Sequence, residues 1–418
     1  MSVSNSLVTP SWVIKKVTQR LTNTLRFAAN VTRGYDSQYT ISGAKVGYTV
    51  NARLPQRYMV NKGQALNPVS ANEEVVPITL TDQANVGIEF SSASLRMEVD
   101  NYTERYIDPA VEALGNQMDL DGLQRMYKRV FRTVGTPAVV PTTNASYLDA
   151  TVKLTEGSVP TGRLVAILTA QMHASLANAN LALFNPGAVI SKQYRTGKIA
   201  GEVLGIKEWY IDENAPTHVV GPLGGTPLVN VAAGAAGAAS GVTSLVTDGW
   251  TAAAAKRLNE GDVIQFDGVF DINPMSYQST GRLKDYVVSA DVFSDGSGNA
   301  TIPFSPPLVY GASNAYSTAT GRPADNAIIT IFGHASTHAN KVTRTGLVYD
   351  PNAFTCVMAD LPLPQGVWVS KRISNAAIAM SVRFIKAYDV MTDQSPARLD
   401  ILYGWAAVRP ELAVRIQS

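Results

Sequence analysis

At 418 residues the chain is too long for one ordinary hydrophobic core, and its length points to two or three domains. Hydrophobic residues make up 45%, which excludes wholesale disorder, while charged residues make up only 16% against a typical value of about 25%. A surface with so few charges suits a protein covered largely by copies of itself, or a secreted or periplasmic β protein.

The formal net charge is only +2, but the charge is unevenly placed. Lys15, Lys16, Arg20, Arg26 and Arg33 lie between Met1 and Tyr35 with no acidic residue among them. This is a basic arm, read either as one face of a solvated amphipathic helix or as a contact for a polyanion or acidic partner. Cys356 is the single cysteine. It rules out an intrachain disulfide framework and a cysteine metal site, so a reducing compartment is expected. The N-terminus lacks a signal-peptide pattern, and no window approaches the ~20 apolar residues that span a bilayer. A soluble protein made in the cytoplasm is expected.

In chain order, Trp12 to Asn30 reads as an amphipathic helix behind the stop Thr9-Pro10-Ser11. Alternation follows from Lys45 to Val50, then Arg53-Leu54-Pro55, a polar stretch over 61–74, and further strand runs over Val75–Leu80 and Val86–Phe90. Two strands joined by a long polar segment predict an extended hairpin, with Pro55 and Pro77 on sheet edges or outside the ladder.

The run from Asn101 to Gly135 is the clearest long helix. Asn101 with Glu104, and Asp108 with Pro109, offer two starts. Ile107, Val111, Leu114 and Met118, then Leu120, Leu123, Tyr127 and Val130, recur at helical spacing. The step between the two sets moves the apolar stripe sideways, so two faces should be covered. One should pack on the C-terminal strands around Ala377 to Val408, the other under a hairpin. Lys128, Arg129 and Arg132 suit the helix end, and Gly135 and Pro137 supply the stop. Residues 109–131 would extend roughly 35 Å at 1.5 Å per residue.

Pro137 to Pro160 reads as loop-rich. Leu164–Leu168 reads as a buried strand, Thr169 as the cap of a short helix through Met172, Leu176 and Ala179, and Tyr194–Ile199 and Glu208–Ile211 as strands, making a small α/β unit. Composition changes at Gly221, and the Ala-Gly stretch Val231–Gly241 reads as a flexible or edge-forming connector. Residues 242–339 read as all-β: Asp262–Phe266, Asp285–Phe293, a turn at Asp295–Gly298, Ala300–Phe304 and Ala327–Phe332 predict a small inserted barrel or sandwich. Phe354–Met358, Ala377–Tyr388 and Arg398–Val408 are the closing strands.

Chemistry is sparse. His334 and His338 are four apart, but no third ligand lies near them in sequence and the preceding strand argues against a helix. His173, in the short helix, and His218, in a loop, read as surface or capping residues. Asp212 and Glu213 are adjacent and should point apart, while Asp295 and Asn299 frame a hairpin turn that needs no ion. There is no nucleophile elbow, phosphate-loop lysine or H-E-x-x-H pattern. No catalytic, cofactor or metal residue is expected.

The order of elements resembles the major capsid proteins of tailed double-stranded DNA bacteriophages, with the Hong Kong-type coat fold. The resemblance runs most of the chain and is nearest to coat proteins of short-tailed phages that carry an inserted β-barrel. It is carried by Asn259–Phe266 in the insertion, by Leu347–Phe354 leading to Leu361-Pro362-Leu363-Pro364, and by the closing Leu402–Pro410. The resemblance implies an α+β chain with an N-terminal arm (1–44), an extended hairpin loop (45–90), a peripheral domain with a spine helix (91–161 and 373–418), an axial domain (162–222 and 340–372) and an inserted β-barrel (223–339).

It further implies a structural protein, not an enzyme, that self-assembles into pentamers and hexamers of an icosahedral head around packaged double-stranded DNA. A separate scaffolding protein and a portal would be its partners. Lys15, Lys16, Arg20 and Arg26 would then face scaffold or DNA on the inner surface, and Lys62, Gln64, Asn67, Glu73 and Glu74 would meet a neighbouring subunit. Ile107, Val111, Leu114, Met118, Leu123, Tyr127 and Val130 would pack the spine. Alternatives are a nanocompartment shell of the same fold, a β-rich binding protein or a hydrolase.

Overall fold

The computed structural model describes residues 25–33, 49–58, 60, 74–89, 108–181, 204–230, 240–311, 314–332, 335–375 and 380–418. Strands β1 (Thr49–Arg53), β2 (Val75–Thr79) and β3 (Asp82–Ile88) precede the long helix α1 (Asp108–Met126). β4 (Thr133–Gly135), α2 (Asn144–Glu156), β5 (Val165–Leu168), α3 (Ala170–Leu181), β6 (Glu208–Ile211) and β7 (Thr217–Val219) follow. The β-rich stretch holds β8 (Gly225–Val229), β9 (Val242–Trp250), β10 (Ala255–Leu258), β11 (Val263–Ile272), β12 (Ser279–Val288), β13 (Val292–Ser294), β14 (Ala300–Leu308) and β15 (Ile329–Ile331). β16 (Val342–Tyr349), β17 (Phe354–Met358), β18 (Val369–Asn375), β19 (Met380–Lys386), β20 (Ala397–Ala407) and β21 (Ala413–Gln417) complete the chain.

The chain divides into two compact units. The first takes Met1–Arg53, Val75–Gly122 and Phe354–Val408. Its sheet has the order β17-β20-β19-β18, and β3 pairs antiparallel along β20 from Ile88↔Ala397 to Asp82↔Tyr403. β1 and β2 form a separate antiparallel ladder from Thr49↔Thr79 to Arg53↔Val75. Gly404 lets β2 come close, since a Cβ there would collide with the Thr79 carbonyl.

The second unit takes Leu54–Glu74, Leu123–Ala353 and Arg409–Ser418. Its mixed sheet runs β4-β21-β16-β5-β6, with β7 also on β16; β4/β21 and β5/β6 are parallel. All residues of β5 and β21 are buried, as expected for strands covered on both faces. The second sheet of this unit, β15-β11-β12-β14-β9-β8, curls into a nearly closed barrel. A bridge between Leu228 and Ile328, and the Val229 N–H bonded to the Ala327 carbonyl, bring β8 back beside β15. Inside it Phe266, Tyr286 and Phe304 form a triangle of rings 5.0–5.6 Å apart, surrounded by Val229, Leu245, Ile302 and Ile329.

In α1 burial follows the helical period: Val111, Leu114, Met118, Leu123 and Met126 are buried, and Asn116, Gln117, Gln124 and Arg125 are exposed. The α-helix stops at Met126, earlier than the spacing predicts. Tyr127–Arg129 tighten into a 3₁₀ turn, and Val130 is already extended on the way into β4.

Several expectations fail. Residues 137–160 are not mainly loop: they hold α2, whose buried face is Tyr147, Ala150 and Leu154. Pro137, Pro141 and Pro160 bound this helix instead of interrupting it. The described end of the expected Trp12–Asn30 helix is a 3₁₀ turn at Ala28–Asn30 followed by extended Val31. His218 sits in β7, not a loop, and both it and His173 are buried instead of on the surface. β18 carried no clear sequence signal. The expected strand at Tyr194–Ile199 and the connector residues 231–239 lie outside the described residues.

Candidate functional site

Among the residues expected at contacts, Lys15, Lys16, Arg20, Lys62, Gln64, Asn67, Glu73 and Ile107 lie outside the described residues. Arg26 is exposed. Glu74 is exposed too, and its carbonyl accepts the Leu54 N–H at 2.9 Å, closing the base of the segment between β1 and β2. Val111, Leu114, Met118, Leu123, Tyr127 and Val130 are all buried.

Sequence reasoning missed how the barrel is attached. Asp149, Lys153 and Glu156 stand at i, i+4 and i+7 on α2 and therefore share one helix face. That face meets β12. Arg282 reaches Asp149 at 2.8 Å and Glu156 at 3.1 Å, and the Lys153 ammonium donates to Asp285 and to the Thr133 carbonyl, both at 2.8 Å. Asp285 also accepts the Thr133 N–H at 3.2 Å and the Gln265 amide at 2.6 Å. Beside this row the Asn273 amide donates to the Glu156 carbonyl at 2.7 Å.

A second charged group joins β11, β12 and Arg132. Asp271 accepts from Lys284 at 2.8 Å and has Arg132 at 3.7 Å. Burial would raise the Asp271 carboxyl, but Lys284 and Arg132 more than offset it and hold it below the usual carboxylate range. Burial pushes the Lys284 ammonium down, with Asp271 opposing. The asymmetry follows from exposure, because the Lys284 side chain is 3% accessible and that of Asp271 19%. These charges line part of a cleft of about 210 Å³, walled otherwise by Leu54, Pro55, Phe131, Ile272 and Pro306.

A third group ties the loop before β11 to its surroundings. His218 Nε2 lies 2.8 Å from Asp262 Oδ1, and its Nδ1 lies 3.3 Å from the Tyr127 hydroxyl. The other Asp262 oxygen accepts the N–H groups of Asn259 and Gly221. Arg415, fully buried, donates to the Gly261 carbonyl at 2.8 Å and lies 5.9 Å from the Tyr127 ring centre. Burial lowers this guanidinium to about 10. Burial also raises the Tyr127 hydroxyl to about 12. The partners His218 and Asp262 are 44 positions apart, so no local pattern could have revealed them.

In the first unit α1 meets the closing strand directly. Asp121 accepts from the Tyr403 hydroxyl at 2.6 Å, and Gly122 leaves room for the Trp405 ring, which a Cβ would meet at 2.5 Å. The segment after the basic arm is fixed here as well. The Asp119 carboxylate accepts the N–H groups of Arg26, Phe27 and Ala28, and Phe27 stacks on Trp405 with ring centres 4.9 Å apart.

The acidic pairs weighed for chemistry are engaged structurally. Asp212 is buried, whereas Glu213 faces out and accepts the Ala170 N–H at the start of α3 together with Arg344. These two donors hold its carboxyl below the usual range. Asp295 accepts the N–H groups of Ser297 and Asn299 within its own turn, and the Asn299 bond in particular lowers its carboxyl. Among the described residues no group of three or more His, Cys, Asp or Glu could hold a metal ion, and no helix is long and apolar enough to cross a membrane.

A sequence-family model described as P22 coat protein, gene protein 5, matches residues 6–417. The chain belongs to the P22 coat protein family; it is a phage coat protein, a structural protein that self-assembles into capsids. Comparison with curated proteins gave no match. Among solved structures it is similar to a chain of Mycobacterium phage Che8, with 12% identity, TM-score 0.46, and coverage of 94% of this chain and 90% of that one. It is similar as well to a chain in the capsid of Cyanophage P-SCSP1u, with 11% identity, TM-score 0.44, and coverage of 94% and 87%. A virus-like particle from Pyrococcus furiosus gives 8% identity, TM-score 0.39, and coverage of 98% and 100%.

Proposed function

We propose that this chain is the major subunit of an icosahedral phage head of the Hong Kong-type coat fold, arranged as pentamers and hexamers around packaged double-stranded DNA. The family match over residues 6–417 carries this reading. On it, α1 is the spine helix of a peripheral domain, and the β1–β2 ladder is the root of an extended hairpin that lies along a neighbouring subunit through Lys62, Gln64, Asn67, Glu73 and Glu74. The barrel is the inserted domain. The basic arm, with Lys15, Lys16, Arg20 and Arg26, faces an acidic partner inside the shell, first a separate scaffolding protein and then DNA. The portal would occupy one vertex. Covering by copies explains how a chain with so few charges stays out of open-ended aggregation, since closed symmetry consumes its edges.

The test is electron microscopy of the purified protein, alone and co-expressed with a scaffolding protein. Closed isometric particles built of five- and six-fold clusters are expected. A chain that stays monomeric at high concentration under both conditions would refute the reading.

A further inference from the structure

We propose that Asp119 is the residue that positions the N-terminal arm: its carboxylate is an anionic clamp on three consecutive backbone N–H groups, fixing the point from which the arm's basic charge is delivered. The role in assembly rests on the reading of the arm given above; the clamp itself does not.

The geometry is specific. Asp119 lies in α1 and is 2% exposed. One of its oxygens accepts from the Arg26 N–H at 2.5 Å and the Phe27 N–H at 3.0 Å, and the other from the Ala28 N–H at 2.9 Å. These donors enter the 3₁₀ turn Ala28–Asn30, whose first N–H groups have no partner within the turn. A carboxylate carried by a helix far away in sequence supplies the acceptors, and the charge makes the bonds strong. Asparagine cannot replace it, because its NH₂ would face one of the N–H groups.

The rest of the segment is locked around this point. Phe27 is fully buried between Trp405 and Phe354, with ring centres 4.9 and 5.6 Å away. The Arg33 guanidinium closes back on the Ala28 carbonyl at 2.6 Å. The Thr32 carbonyl accepts from the Thr355 hydroxyl at 2.7 Å, and the Thr32 N–H donates to the Phe354 carbonyl at 3.2 Å. The segment is therefore held by the helix, by β20 and by β17 together. From the clamp to Lys15 the chain reaches at most roughly 40 Å at 3.3–3.6 Å per residue. Asp119 thus sets the origin, and the chain length the maximum reach, of the arm's charges.

The test has two readouts on full-length protein. The first is limited trypsin digestion of the monomer, with circular dichroism confirming that Asp119→Asn and Asp119→Glu remain folded. Cleavage after Arg26 should rise at least tenfold in Asp119→Asn, while cleavage after Arg398, on β20, stays as in the parent. Unchanged cleavage after Arg26 in both variants overturns the clamp. The second is assembly yield with Asp119→Asn placed on the native arm and on an arm carrying Lys15→Glu, Lys16→Glu and Arg20→Glu. A positioning role predicts that Asp119→Asn lowers yield several-fold on the native arm and adds little on the reversed arm. An equal fold-loss on both backgrounds means a purely structural role and overturns the positioning claim. If the reversed arm alone assembles like the parent, the arm reading fails and positioning fails with it, while the digestion result still decides the clamp.

Discussion

The inserted barrel and the seam on which it rests are built by opposite means. Within the barrel Phe266, Tyr286 and Phe304 touch one another in an apolar interior, and burial, with a smaller push from the Asp271 charge, raises the Tyr286 hydroxyl. Just outside, from the same strand, Arg282 and Asp285 meet α2 through ion pairs. A chain with few charges has gathered several of them at one join. The barrel's integrity and its attachment therefore depend on separate residues. Apolar burial is non-directional and tolerates sliding, whereas paired charges hold only in register.

The comparison breaks most sharply at the core. Phe266→Ala should cost about 3–5 kcal/mol through lost burial and an unfilled cavity. Denaturant unfolding followed by barrel-specific hydrogen exchange checks this, and the loss should be confined to residues of the barrel. Lys153→Met should cost somewhat less, about 2–3 kcal/mol. It leaves Asp285 buried without its cation, while the Thr133 and Gln265 donors remain to soften the loss. Here the exchange protection that falls should be at Thr133 and the neighbouring seam.

Acid should act on the neighbouring Asp271–Lys284 pair in the same direction. Asp271 has a lowered carboxyl, so its contribution is fully present above the ordinary aspartate value of about 3.9 and is lost as pH falls through the lower folded value. Stability should therefore drop with falling pH below about 4. In Asp271→Asn that slope should be shallower, as a pH series of thermal transitions would show. Arg282→Ala should have the smallest effect, below about 1 kcal/mol, since its side chain is 40% exposed and solvent screens its pairs. Thermal unfolding in low and high salt measures it, and the difference should shrink in high salt.

What could be read from the sequence follows from the range of each interaction. Phe354–Met358 is a strand over the residues expected, and Thr169 accepts the Met172 N–H as the cap of α3. Periodicity and capping are local, so they show. The helix α2 was also written locally, in Tyr147, Ala150 and Leu154, but flanking prolines disguised it. Its outer face Asp149, Lys153 and Glu156 gains a role only from the charges of β12, which lie more than 120 positions further along the chain. The clamp at Asp119 had one visible sign, an acid beside Met118 in the apolar stripe of α1. Its acceptors serve donors more than 90 positions away, which no periodicity can announce.

Hydrogen exchange on the Lys153→Met variant, resolved to segments, tests most directly whether attachment and integrity of the barrel are separable. Amides of β9, β11 and β14 inside the barrel should keep their protection while those at Thr133 and the start of β12 exchange faster. Parallel loss of protection at both sites would show one cooperative structure and contradict the account.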